Sequence, residues 1–171
     1  MKKQQSQLPE RKHPRMKYFD YSSNRSYFVT ICADKRKQIF SFVVDGNIVL
    51  TPYGEIAKNE LISLEIRYPF LKIENYVIMP NHIHLLMQFM HDENTHSAGA
   101  SQPALHTPNL QSVISSFKSL STRLINKRFN YGKVYQTSFY EHVVNDYQDW
   151  SNIWDYIENN PKTWQTDELY K

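Results

Sequence analysis

The sequence holds a single cysteine, Cys32, among 171 residues. That excludes an intrachain disulfide and fits a reducing compartment. Cys32 closes the apolar run Phe28-Val-Thr-Ile-Cys32, which reads as a buried strand, so a packed thiol is expected rather than a reactive one. No stretch approaches the roughly 18–20 consecutive apolar residues that a membrane span needs, and no signal-peptide pattern opens the chain. The expected location is the cytoplasm. Charge of one sign is scarce as well: a net charge of +3 and a pI near 8.8 are too mild to name a partner from the sum alone.

What is present is more specific. Basic residues cluster at Lys2-Lys3, at Arg11 to Arg15, at Lys35-Arg36-Lys37 and along Lys118, Arg123, Lys127 and Arg128. Aromatics are abundant, with 12 Tyr, 9 Phe and 3 Trp. Basic clusters interleaved with aromatics suit a phosphate backbone and unpaired, stacked bases. Core aromatics beside solvated lysines would leave the same composition. At this length one domain is expected, burying roughly 70% of its unfolded surface.

Residues 1–17 are polar and basic and read as a mobile arm carrying Arg15; residues 18–171 read as the folded domain. Tyr27 to Cys32 is a central-strand run. Phe40–Val44 and Ile48–Leu50 flank Asp45-Gly46-Asn47, a strong hairpin signal. Thr51 is placed to cap a helix with Pro52 at its first position, with Ile56, Leu61, Leu64 and Ile66 as its stripe. Strands follow over 71–79 and 82–89, turned by Pro80-Asn81 and expected to pair antiparallel. Residues 91–109 lack periodicity and read as a flexible loop. Leu110 to Phe129 is the clearest amphipathic helix, with Val113, Ile114, Phe117, Leu120, Leu124 and Ile125 inward. Residues 134–144 read as an irregular strand or strand pair. Asp146 caps a last helix, Tyr147 to about Asn159, stopped by Asn160-Pro161. This order predicts an α+β fold, an antiparallel sheet of ferredoxin-like type packed with helices.

Within Tyr76–Phe89 lies His82-Ile83-His84. Residues two apart on a strand share a face, roughly 6–7 Å apart at the backbone. Both imidazoles can therefore converge on one divalent ion, while Ile83 and Leu85 turn into the core. A metal needs a third ligand. No second His-x-Thr or His-x-Ser strand exists for a twin-histidine phosphoesterase, and no Asp follows closely as in a zinc hydrolase.

The last helix offers candidates. Tyr147, Trp150, Ile153, Trp154 and Ile157 form its apolar stripe, and Tyr156 falls roughly 120° from the stripe's centre. Asn160, at i+4, lies on Tyr156's side. This pair reads either as a phenol and a metal-binding amide facing a cleft, or as a surface tyrosine and an Asn-Pro helix stop. His142 reads as a structural histidine or as a phosphate-contacting one.

Taken in order, Val77-Ile-Met-Pro-Asn-His-Ile-His-Leu-Leu86, Phe117-Lys-Ser119, Gln136 to His142 and Tyr156-Ile-Glu-Asn-Asn-Pro161 resemble the HUH-type single-tyrosine transposases, and within them the REP-associated branch. The resemblance runs from about Tyr27 to Trp164. One departure is Tyr135-Gln136, where Trp-Gln is usual. The resemblance implies a His-hydrophobe-His pair on a central strand and a nucleophilic tyrosine on a C-terminal helix. Carried over, His82 and His84 are metal ligands, Asn160 completes the site and Tyr156 is the nucleophile. The implied cofactor is Mg²⁺ or Mn²⁺, and the implied substrate is single-stranded DNA beside a hairpin, nicked and rejoined by a monomer or a homodimer. DNA contacts are expected from Arg15, Lys118, Arg123, Lys127, Arg128 and His142. Two alternatives stand beside this reading: a hairpin-binding module that does not cut, and a metal-dependent phosphodiesterase that uses water.

Overall fold

The computed structural model describes residues 25–90 and 109–170. The arm with Arg15, and residues 91–108 of the predicted loop, lie outside the described residues. Nine principal elements follow in order: β1 Ser26–Cys32, β2 Ser41–Val44, β3 Asn47–Leu50, α1 Pro52–Arg67, β4 Leu71–Ile78, β5 His82–Phe89, α2 Leu110–Phe129, β6 Tyr140–Val143 and α3 Tyr147–Asn159. The main sheet has the order β4-β5-β1-β6, with every neighbouring pair antiparallel. Setting aside the inserted hairpin of β2 and β3, this is a β-α-β-β-α-β chain with the central strands β5 and β1. The expected ferredoxin-like α+β architecture is the one observed. No helix among the described residues is long and apolar enough to cross a membrane.

Strand alternation divides the sheet into two faces. Tyr27, Val29 and Ile31 of β1, with Ile83, Leu85, Met87 and Phe89 of β5, pack against Ala57, Leu61 and Leu64 of α1 and Val113, Ile114, Phe117 and Ile125 of α2. The opposite face carries His82, His84 and Leu86. There Leu86 and Val77 pack with Ile153 and Ile157 of α3 and with Trp164 beyond it. Full burial of such an aliphatic side chain contributes about 1.5–3 kcal/mol, so two isoleucines suffice to fix which side of α3 lies down. The register pairs Cys32 with His82 and Thr30 with His84. Cys32 is buried, and burial pushes its thiol up, as the packed reading expects.

The local signals act as the sequence suggests. Thr51 accepts from the Gly54 N–H at 3.2 Å, and Asp146 from Asp149 N–H at 2.9 Å. Asp45 and Gly46 both have positive φ, 50° and 74°, as a twist-matched two-residue turn requires. Gly54 cannot be replaced without movement, because a Cβ there would stand 1.9 Å from the Phe40 carbonyl oxygen. That close approach seats the first turn of α1 on the chain leading into the hairpin.

Three details differ from expectation. Ile66 is 82% exposed, because Ala57, Leu61 and Leu64 set the inner stripe of α1 and Ile66 lies about 140° away from Leu61. Tyr147, 79% exposed, stacks on Trp150 at 6.1 Å between ring centroids instead of entering the core. Leu124 is outward while Ser121 is buried, its hydroxyl donating to the Phe117 carbonyl and touching the Tyr135 hydroxyl. Between residues 134 and 144 only Tyr140–Val143 forms a strand, preceded by a single bridge between Ala33 and Tyr135.

Candidate active site and metal centre

The His pair sits on the central strand β5, buried beneath α3 and the segment after it. The two rings stand 4.4 Å apart between centroids. Each is held from behind through Nδ1. His82 Nδ1 lies 2.8 Å from Asn81 Oδ1, and His84 Nδ1 2.8 Å from Thr30 Oγ1. Asn81 is itself oriented, since its amide nitrogen donates to the Leu169 carbonyl at 2.6 Å. Its oxygen must then face the imidazole, which makes His82 Nδ1 the protonated nitrogen and leaves Nε2 with a lone pair.

That lone pair meets no donor: His82 Nε2 is buried facing Asn160 Oδ1, itself an acceptor without a donor. Asn160 is fixed by donation of its amide N–H to Asp167 Oδ2 at 2.5 Å, which leaves its oxygen free on the side of His82. Two buried acceptors without donors cost several kcal/mol unless a cation or proton joins them. One ligand atom each from His82, His84 and Asp167 lies within 4.8 Å of the others. Imidazole, amide and carboxylate donors so arranged fit a divalent cation. Burial pushes His82 down to about 4, only partly opposed by the Asp167 charge, and pushes His84 well below the usual histidine range. Both rings are therefore neutral and able to ligate at pH 7.

Tyr156 comes from α3 and is 44% exposed. Its hydroxyl lies 3.4 Å from His84 Nε2, long for a hydrogen bond. Its ring meets Phe28 edge-on at 6.0 Å. Burial, then the charge and hydrogen-bonding of Asp167, then Glu168, push the phenol up to about 12. The phenol thus stands between two acceptors, His84 and Asp167, at the mouth of a cleft of about 580 Å³ also lined by Thr30, Arg36 and Tyr140.

The structure brings His82, His84, Asn160 and Tyr156 together within one chain. It places the other expected residues elsewhere. Arg123, Lys127 and Arg128 lie on α2, whose layer is separated from the histidines by the sheet. Lys118 donates to the carbonyls of Gln136, Thr137 and Ser138, at 2.5, 2.9 and 3.4 Å. His142 is on the edge strand β6, opposite Phe28 and thus on the site's face, with Nε2 2.8 Å from Asp149 Oδ2. Asn81, Thr30 and Asp167 were not expected as site residues from the sequence, and Arg36 was named only within the basic cluster Lys35-Arg36-Lys37. Asn81 directly precedes His82, the one local signal among them; the others depend on register and chain closure.

No family model matches the chain. An uncharacterised protein of Haemophilus influenzae is 27% identical over 170 residues, spanning 95% of this chain and 94% of its own. A second protein of that organism, provisionally named a REP-associated tyrosine transposase, is 26% identical over 145 residues, spanning 83% and 73%. In three dimensions the chain is similar to a REP-associated tyrosine transposase solved bound to a REP hairpin, with a TM-score of 0.60 and 19% identity over 86% of this chain and 73% of that one. The fold is thus of the tyrosine-transposase class. More narrowly, the chain is similar in sequence and fold to the REP-associated tyrosine transposases, the branch its motifs resemble.

Proposed function

We propose that the protein nicks and rejoins single-stranded DNA beside a hairpin, with Tyr156 as nucleophile and a divalent ion held by His82, His84, Asn160 and Asp167. The observation that carries this is the convergence of a phenol, two neutral imidazoles and two orphaned acceptors from segments over seventy residues apart. A structural histidine pair has no use for empty lone pairs. The hairpin in the similar solved structure supports the substrate class.

Tyr156 Oη attacks the phosphorus, a bond forms between them, and the P–O3′ bond breaks. The product is a 5′-phosphotyrosine and a free 3′ oxygen, which ends with the proton that the phenol gave up, relayed through Asp167. The phenol proton passes to the Asp167 carboxylate, the acceptor whose charge bears on it most. A 3′-hydroxyl then attacks the phosphotyrosine, reforming a phosphodiester and returning the proton to Tyr156. No water or nucleotide enters the balance. The ion, of the Mg²⁺ or Mn²⁺ kind, supplies charge neutralisation at the phosphate. His82 and His84 supply neutral donors, Asn81 and Thr30 hold their rings, and the backing of Ile83 and Leu85 keeps the strand from moving.

One observation favours a second reading, a hairpin-binding module that does not cut: burial and the Asp167 charge push the phenol up to about 12, away from the phenolate a nucleophile needs. A labelled hairpin oligonucleotide with single-stranded flanks, incubated with Mn²⁺ and resolved on a denaturing gel, separates the two. Nicking predicts a slow-migrating covalent adduct that vanishes in Tyr156→Phe. Salt-sensitive binding with no adduct, across several hairpins, supports the module. Cleavage surviving Tyr156→Phe supports the water-using phosphodiesterase.

A further inference from the structure

We infer that Arg36 is the phosphate-binding group of this cleft, its guanidinium seating the non-bridging oxygens of the phosphodiester that faces Tyr156. This rests on the single-stranded DNA reading above. Arg36 lines the same cleft as His84, Tyr156 and Asp167, and its charge reaches His82 and Cys32 behind them. None of the ion pairs found among the described residues involves it, although Asp167 and Glu168 stand in the same cleft. A planar guanidinium facing a cleft without a carboxylate partner is matched to a two-oxygen anion.

The backbone gives the second observation. Lys35 and Arg36 both adopt the left-handed region, at φ 54° and 53°. Side chains other than glycine are strained there, and such strain persists where the surroundings hold it in place. Here they do. Ala33 N–H donates to the Asn81 carbonyl, Asp34 N–H to the Val134 carbonyl and Arg36 N–H to the Ala33 carbonyl, at 2.8, 2.8 and 3.0 Å. Lys133 pairs with the Asp34 carboxylate at 2.9 Å. Asn81 thus orients His82 through its side chain and anchors the arginine turn through its carbonyl. The phosphate seat and the metal ligands are registered on the same residue.

The test uses the full chain, Mn²⁺ and a labelled hairpin with a single-stranded flank. Arg36→Ala is expected to slow single-turnover adduct formation about 10²–10³-fold, the loss typical of removing one donor from a charged transition state. In a Tyr156→Phe background it should also lower the slope of log affinity against log salt by about 0.7, one single-strand phosphate. Mn²⁺ affinity should not fall, because Arg36 is no ligand and its charge opposes a cation beside His82. Arg36→Lys, which keeps charge but not the fork, should fall between. A rate within threefold and an unchanged salt slope in Arg36→Ala overturn the inference. If Arg36→Ala melts below the assay temperature, Arg36→Lys decides: a rate equal to the unsubstituted protein's overturns it, and a tenfold loss with normal melting supports it. Absence of adduct in the unsubstituted protein is a different failure, of the nicking reading itself, and removes this inference with it.

Discussion

At the scale of the residue, the site is organised by where protons are not. His82 and His84 are buried and neutral, both displaced downward chiefly by loss of water. A group whose folded value is depressed stabilises the fold above its unfolded value, near 6.5, and that contribution is lost as pH falls toward the folded value. With chelator present, stability should therefore decline between pH 6.5 and about 4, by up to roughly 3 kcal/mol for His82. Denaturant titrations across that range should show the decline flattened in His82→Gln. Asp167 separates charge from hydrogen bonding. Asp167→Asn still accepts from the Asn160 amide but carries no charge, whereas Asp167→Ala loses both roles. Direct titration with Mn²⁺ should show weakened affinity in both, and more in the alanine variant. Equal affinity in Asp167→Ala and the unsubstituted protein would remove Asp167 from the ligand set.

At the scale of the element, two short links position everything. Asn81 ends the turn between β4 and β5 and ties it to Leu169 at the far end of the described chain. Asn81→Ala frees the His82 tautomer and should weaken Mn²⁺ binding about 10–100-fold, the usual loss when a ligand's supporting partner is removed, with the fold retained by circular dichroism. Gly54→Ala acts on stability instead, because the added carbon meets a carbonyl oxygen of the hairpin approach. A loss of roughly 2 kcal/mol or more is expected, read as a fall in Tm of about 4–8 °C. The elements themselves were legible where the signal is local: the Pro80-Asn81 turn before β5, Thr51-Pro52 for α1, Asp146 for α3. Ile66 and Leu124 were not, since an apolar residue near the edge of a stripe faces inward or outward according to what the neighbouring element leaves room for.

At the scale of the molecule, the sheet separates two faces, and the sequence could not show which charges share a face with the chemistry. His82 and His84 were legible as a pair, and Tyr156 with Asn160 as another, because each lies within one element. Their meeting depends on α3 folding back across β5. Asp167 was hidden more deeply: it lies seven residues past Asn160, and only the turn at Trp164–Thr166 returns it to the histidines. For Lys118, Arg123, Lys127 and Arg128, one helix face of positive charge looked uniform in sequence, yet Lys118 holds three carbonyls and the others lie behind the sheet. If hairpin DNA wraps past the edge of the sheet to reach α2, the Arg123/Lys127/Arg128 triple alanine variant should bind the hairpin more weakly, with a shallower salt slope. Its adduct rate at saturating DNA should be unchanged, because none of the three lines the cleft.

The account depends most on the identity of the nucleophile. The direct measurement is mass spectrometry of the protein after reaction with Mn²⁺ and a hairpin oligonucleotide, followed by nuclease trimming and proteolysis. The prediction is a single modified tryptic peptide, residues 134–162, whose fragmentation places a nucleotide 5′-phosphate on Tyr156. Modification at Tyr140 or another residue, or cleaved DNA with no modified peptide, would contradict it.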